Sequence, residues 1–223
     1  MTNLTIGRLV CQLESNPSAD ICYILSYEPL DPDWVELAAS QWGCNLAVVS
    51  NMDWDNDLTP WPAPGQPPGC PPFRGEAASF LAFLKANVLP EVERRLITGK
   101  VGRRVLLGVS LSGLFSLWAW LRDDTFSDVG SISGSVWYEG FVGWLASQLL
   151  PRRSGLVYLS LGDRESATRV KAFQSVGIDT QRVVALLRRA GIDVFFEWNP
   201  GTHYAPFYPR LKKAMDKLFP PSK

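Results

Sequence analysis

The stretch LLGVSLSGLFSLWAW, residues 106–120, holds a Ser/Gly knot between two uncharged apolar runs. Inside it, Gly108-Val109-Ser110-Leu111-Ser112-Gly113 approximates Gly-x-Ser-x-Gly. In that pattern small residues allow a strained strand-to-helix turn to lift a serine oxygen clear of a sheet. Ser112 stands where the second glycine belongs, and Gly113 follows it. A plain strand-to-helix connection could carry the same letters, so the reading needs further residues. A serine hydroxyl is a weak nucleophile until a base takes its proton. The chain has one histidine, His203, in NPGTHYAPFYP. It falls after the last strand-like run and before a C-terminal amphipathic segment, where such a base belongs. The acid that orients the imidazole should lie between the two in chain order. YLSLGDRE, residues 158–165, offers Asp163 and Glu165 at the end of a strand-like run. Either carboxylate could instead cap the next helix or pair with Arg164 or Arg169.

Acyl transfer to a serine also needs donors aimed at the developing oxyanion. The backbone N–H of Leu111 is one expected donor, and the loop after the first core strand, at Tyr27 or Glu28, is expected to supply the other. Trp54 and Trp61, in the Asp/Trp/Pro-rich stretch 51–73, and Trp137 with Tyr138 are candidates for an aromatic acyl or alcohol pocket. Packing is the alternative use of the same rings. Tyr204 and Phe207 flank His203 and could shield it from water. Asp53, Asp55 and Asp57 alternate as the first ligands of a calcium loop do, but the turn glycine and closing glutamate of such a loop are missing. No metal is expected.

These residues need elements to hold them. ICYILSY (21–27), CNLAVVS (44–50), RRVLLGVS (103–110), VGSISGSVW (129–137), GLVYLSLGDRE (155–165) and DVFFEW (193–198) read as six strands. Asp31, Pro32 and Gly43 bracket a helix after the first. A helical periodicity runs from Glu76 through Phe80, Leu81, Leu84 and Val88, with a break or kink expected at Pro90. LFSLWAWL is apolar on all sides and should be a buried helix. DTQRVVALLRRAG and PRLKKAMDKLF read as amphipathic helices. Strands that are continuously apolar and alternate with helices indicate an α/β class, a mostly parallel sheet covered on both faces. Ligands bind such sheets beyond the carboxyl ends of the strands, where Ser110, Glu165 and His203 all fall.

The chain's 223 residues suit one domain spanning 1–223, and 46% apolar with 20% charged residues is an ordinary globular composition. Lys plus Arg equals Asp plus Glu at 22 each, so the basic footprint that nucleic acid or an anionic membrane requires is missing. No apolar run reaches the roughly 20 residues of a membrane span, and the N-terminus does not read as a leader. A cytoplasmic protein is expected, as a monomer or homodimer. Cys11, Cys22, Cys44 and Cys70 lack paired spacing and are expected as free thiols.

Taken in order and spacing, GVSLSGLFSLWAWL, SISGSVWYEGF, YLSLGDRE and GTHY resemble the "Putative esterase" family of α/β-hydrolases, related to enterochelin esterases and S-formylglutathione hydrolases. The resemblance runs from about residue 21 to the end. It implies an α/β-hydrolase fold without a large cap domain, no cofactor, and hydrolysis of carboxylic ester or thioester bonds in a small-molecule substrate. By motif, Ser110 would be nucleophile, His203 base and Glu165 or Asp163 acid. Counting three residues from Gly162 favours Glu165, and a Ser/His dyad is the remaining option. Ser112 departs from the family's usual Gly or Ala. The extra N-terminal domain of siderophore esterases is not expected. The competing readings are a catalytically silent binding protein of the same fold, and an acyltransferase or peptidase using the same residues.

Overall fold

Eight strands form one sheet in the computed structural model, which describes residues 1–148 and 154–220. They are β1 (Thr2–Ile6), β2 (Leu9–Glu14), β3 (Ile21–Leu25), β4 (Asn45–Ser50), β5 (Arg104–Val109), β6 (Asp128–Ile132), β7 (Leu156–Gly162) and β8 (Asp193–Asn199). Their spatial order is β1-β2-β4-β3-β5-β6-β7-β8. All pairings from β4 to β8 are parallel, whereas β2 runs antiparallel to both β1 and β4. The helices are α1 (Pro32–Trp42), α2 (Trp54–Asp57), α3 (Ala77–Phe83), α4 (Leu89–Leu96), α5 (Leu111–Arg122), α6 (Phe141–Ser147), α7 (Val176–Arg189) and α8 (Phe207–Leu218).

The continuous apolar runs are explained by burial on both sides. Along β3, Tyr23 and Leu25 enter the core beneath α3, α4, α5 and α7, while Cys22 and Ile24 enter the core beneath α1 and α8. Every residue of β3 and β4 is buried. In α5 all residues from Leu111 to Trp120 are buried, as its all-round apolar surface requires. The caps of α1 are those expected: the Asp31 carboxylate accepts from the Asp33 and Trp34 N–H groups, Pro32 occupies the first turn, and Gly43 takes the left-handed conformation at φ 59°.

Three differences from the sequence reading have physical causes. Residues 2–14, not recognised as strands, form a hairpin closed by Gly7 at φ 60° and Arg8, a two-residue turn that demands positive φ. Its outer strand is largely exposed and so carries no apolar run. The strand read at 129–137 ends at Ile132, because Ser133 adopts φ 48° and its N–H turns to the Ser160 carbonyl at 2.7 Å. Pro90 does not break the helix. A π-helical turn at Leu84–Val88 joins α3 to α4 just before it, widening the backbone where the proline ring would otherwise crowd the preceding turn.

Candidate active site

Ser110 occupies the junction of β5 and α5 with φ 62° and ψ −124°, a conformation that costs a non-glycine residue of order 1–3 kcal/mol. The neighbouring sequence is what permits it. A Cβ on Gly108 would collide with the Ser112 carbonyl, and one on Gly113 would sit 3.1 Å from the Gly108 carbonyl. Ser112, the departure from the usual pattern, is fully buried and built into the turn. Its hydroxyl accepts the Val109 N–H at 2.8 Å and lies 2.8 Å from the carbonyls of Leu25 and Val109, to which it can donate. The extra oxygen thus ties the elbow to the end of β3.

Ser110 Oγ lies 3.1 Å from His203 Nε2, and His203 Nδ1 lies 2.8 Å from Glu165 Oε2. A carboxylate only accepts, so Nδ1 carries the proton and Nε2 is left free to receive one from the serine. The acid comes from the loop after β7 and the imidazole from the loop after β8, so adjacent parallel strands deliver both to the same edge of the sheet. Glu165 Oε1 accepts from Ser133 Oγ at 2.6 Å, the Gly162 N–H at 2.7 Å and Arg210 Nη1 at 2.9 Å. Burial by itself would raise the Glu165 pKa. The hydrogen bonds from His203, Ser133 and the Gly162 N–H outweigh it and hold the carboxyl below its ordinary value. Asp163 is turned elsewhere: its side chain is 55% exposed and accepts the Gly201 N–H at 2.8 Å. It braces the histidine loop and does not touch the imidazole's other partners.

The serine opens into a cavity of about 530 Å³ whose walls include Trp54, Phe73, Leu111, Trp137, Phe173 and Tyr204. Leu111 is the first residue of α5, and its N–H is one of the donors a helix start leaves without an intrahelical partner. Tyr27 and Glu28 are exposed and are not among the residues that line the cavity; the Tyr27 ring instead meets Trp54 edge-on at 5.3 Å. Trp54 and Trp137 line the cavity as expected, the latter against Phe173 with ring centroids 4.4 Å apart. Trp61 and Tyr138 do not. Tyr138 donates its hydroxyl to the Trp61 carbonyl, and the Trp61 ring rests on Phe141 and Trp144 of α6. Those rings fasten the 51–73 loop to α6. Tyr204 does not shield the imidazole: it is 93% exposed, with its ring perpendicular to that of His203.

Two of the three alternating aspartates are engaged internally, while Asp55 lines the cavity. Asp57 pairs with Arg8 and accepts the Asp53 N–H, and Asp53 holds Asn56 and Arg74. Three polar residues of the site were not identified from sequence: Ser133, Ser135, whose hydroxyl lies 3.4 Å from Ser110 Oγ, and Arg210. Arg210 had a signal, since Arg210, Ala214 and Leu218 recur every four residues on the buried stripe of α8. No helix among the described residues is long and apolar enough to cross a membrane.

Comparison with known proteins agrees with this fold. The family described as "Putative esterase" matches residues 44–217. An uncharacterized Bacillus subtilis protein, YbbA, is 28% identical over 138 residues, covering 61% of this chain and 55% of that protein. The chain therefore spans about half the length of this curated relative. The siderophore hydrolase EstB of Aspergillus nidulans superposes with a TM-score of 0.74 at 19% identity, covering 98% of this chain and 94% of EstB. The enterochelin esterase of Shigella flexneri gives a TM-score of 0.72 at 19% identity over 96% of this chain and 55% of that one. These structural likenesses show a shared α/β-hydrolase fold, and with most of its length matched, this chain belongs to the esterase family that carries the "Putative esterase" description.

Proposed function

We propose that the protein is a serine hydrolase that cleaves carboxylic ester or thioester bonds of a small molecule through an acyl-enzyme. The observation that carries this reading is the unbroken hydrogen-bonded chain from Ser110 through His203 to Glu165. Ser110 Oγ attacks the substrate carbonyl carbon while His203 Nε2 takes its proton. Glu165, kept ionised, stabilises the imidazolium that forms. The Leu111 N–H supports the oxyanion of the tetrahedral intermediate. As that intermediate collapses, the imidazolium returns the proton to the departing alcohol or thiol. Water then adds to the acyl group by the same route, and the acid leaves.

The cavity favours an uncharged substrate with an apolar or aromatic group. Its charged lining residues are Asp55, Arg164 and Glu165, the last already paired with His203 and Arg210. The siderophore substrates named for EstB are not implied for this chain by a likeness of 19% identity.

The test is labelling by a fluorophosphonate probe with parallel hydrolysis of p-nitrophenyl esters. The expected result is stoichiometric labelling of Ser110, none in Ser110→Ala, and slow labelling in His203→Ala. An unlabelled, inactive wild-type protein would instead favour a binding role for the fold.

A further inference from the structure

We infer that Arg210 is a positioning residue that locks the acid and the base of the site to one another; the inference rests on the Ser110/His203/Glu165 reading. Its side chain is 6% exposed and leaves the first turn of α8. One arm, Nη1, donates to Glu165 Oε1 at 2.9 Å and to Ser133 Oγ at 2.7 Å. The other, Nη2, donates to the Thr202 carbonyl at 2.8 Å and reaches the Pro200 carbonyl at 3.4 Å. Thr202 immediately precedes His203. A single rigid plane therefore spans the carboxylate that steers the imidazole and the peptide that carries it.

The division of labour on the carboxylate follows from this. Oε1 receives Arg210, Ser133 and the Gly162 N–H, which leaves Oε2 to His203 alone. The backbone makes room for this convergence at Gly162, where a Cβ would stand 2.7 Å from Arg210 Nη2 and 2.9 Å from Glu165 Oε1. A planar fork suits the task and an ammonium does not, because lysine places a point charge that cannot donate in two fixed directions.

The experiment compares wild type, Ser110→Ala, Arg210→Met and Arg210→Lys, with active sites counted by fluorophosphonate titration so that misfolded protein drops out. Displacing a catalytic group by about 1 Å costs about 100-fold, and kcat per titrated site in Arg210→Met is expected to fall by that order. KM should stay within about two-fold, since the removed group touches no substrate. Arg210→Lys should still lose about 10-fold in kcat. A purely structural arginine would lower thermal stability while leaving kcat per titrated site at the wild-type value, and that result overturns the inference. If Arg210→Met does not fold, Arg210→Lys decides alone: wild-type kcat per site rejects the role. Full hydrolysis by Ser110→Ala would overturn the underlying triad, a failure distinguishable from that of Arg210.

Discussion

Glu165 keeps its charge in a place where a carboxyl group should lose it. Its side chain is 2% exposed, and only the donors gathered around both oxygens make ionisation favourable. Removing that charge has two measurable consequences. Glu165→Gln places an amide where the imidazole N–H needs an acceptor, so kcat should fall by roughly 10³–10⁴-fold, while Asp163→Asn, which can still accept the Gly201 N–H, should stay within about three-fold. Steady-state kinetics on one ester checks both, and equal mild losses would point to a dyad. The second concerns stability. Because folding lowers the Glu165 pKa, its contribution is present above the unfolded value near 4.5 and fades as pH falls through the lower folded value. Wild type should therefore lose stability more steeply than Glu165→Gln below about pH 4.5, measured by urea denaturation at stepped pH. Ser110 and His203 were legible in sequence because each belongs to a motif at a strand end, and the acid was narrowed to Glu165 or Asp163 in YLSLGDRE. Arg210 is easily passed over despite its place on the buried stripe of α8, since one cation in a lysine-rich terminal helix reads as a solvated face.

Among the elements, the β5–α5 turn concentrates the constraints. Ser112 fills the place of a glycine, yet its oxygen bonds the Val109 N–H inside the turn and the Leu25 carbonyl at the end of β3. Ser112→Ala should cost about 1–3 kcal/mol, the price of leaving buried polar groups short of partners, and calorimetry would read it as a lowered Tm. Gly108→Ala should be worse, because its methyl group meets backbone that cannot yield; little soluble protein is expected. The elbow was readable from letters alone, but the work of its second serine was not: the bond to β3 joins residues far apart in sequence. The β1–β2 hairpin escaped for the opposite reason. Its outer strand faces solvent with mixed polarity and leaves no apolar run to detect. The 129–137 stretch was read too long because Ser133, at positive φ, looks like any small strand residue.

On the scale of the whole molecule, the carboxyl ends of the parallel strands meet the loop that follows β4, and that loop is held from several directions. Arg8 of the hairpin pairs with buried Asp57 in α2, whose first residue, Trp54, forms cavity wall. Trp61 anchors the same loop to α6. Which tryptophans line the cavity and which merely pack could not be read from composition, because Trp54, Trp61 and Trp137 all follow strand ends in the chain and only the folded path separates Trp54 and Trp137 from Trp61. Trp137→Ala removes one wall, together with its contact to Phe173. It should raise KM for aromatic p-nitrophenyl esters about 10-fold with kcat within about two-fold. A collapse of kcat instead would mean that the ring orders the reacting groups.

The His203 side chain is 35% exposed, so an imidazole acting there as base would draw its second nucleophile from bulk liquid. An acyl group carried by Ser110 would meet solvent at every moment of its lifetime, and a competing alcohol would have to win by numbers. In water–methanol mixtures, the ratio of methyl ester to free acid should then track the mole ratio of the two liquids.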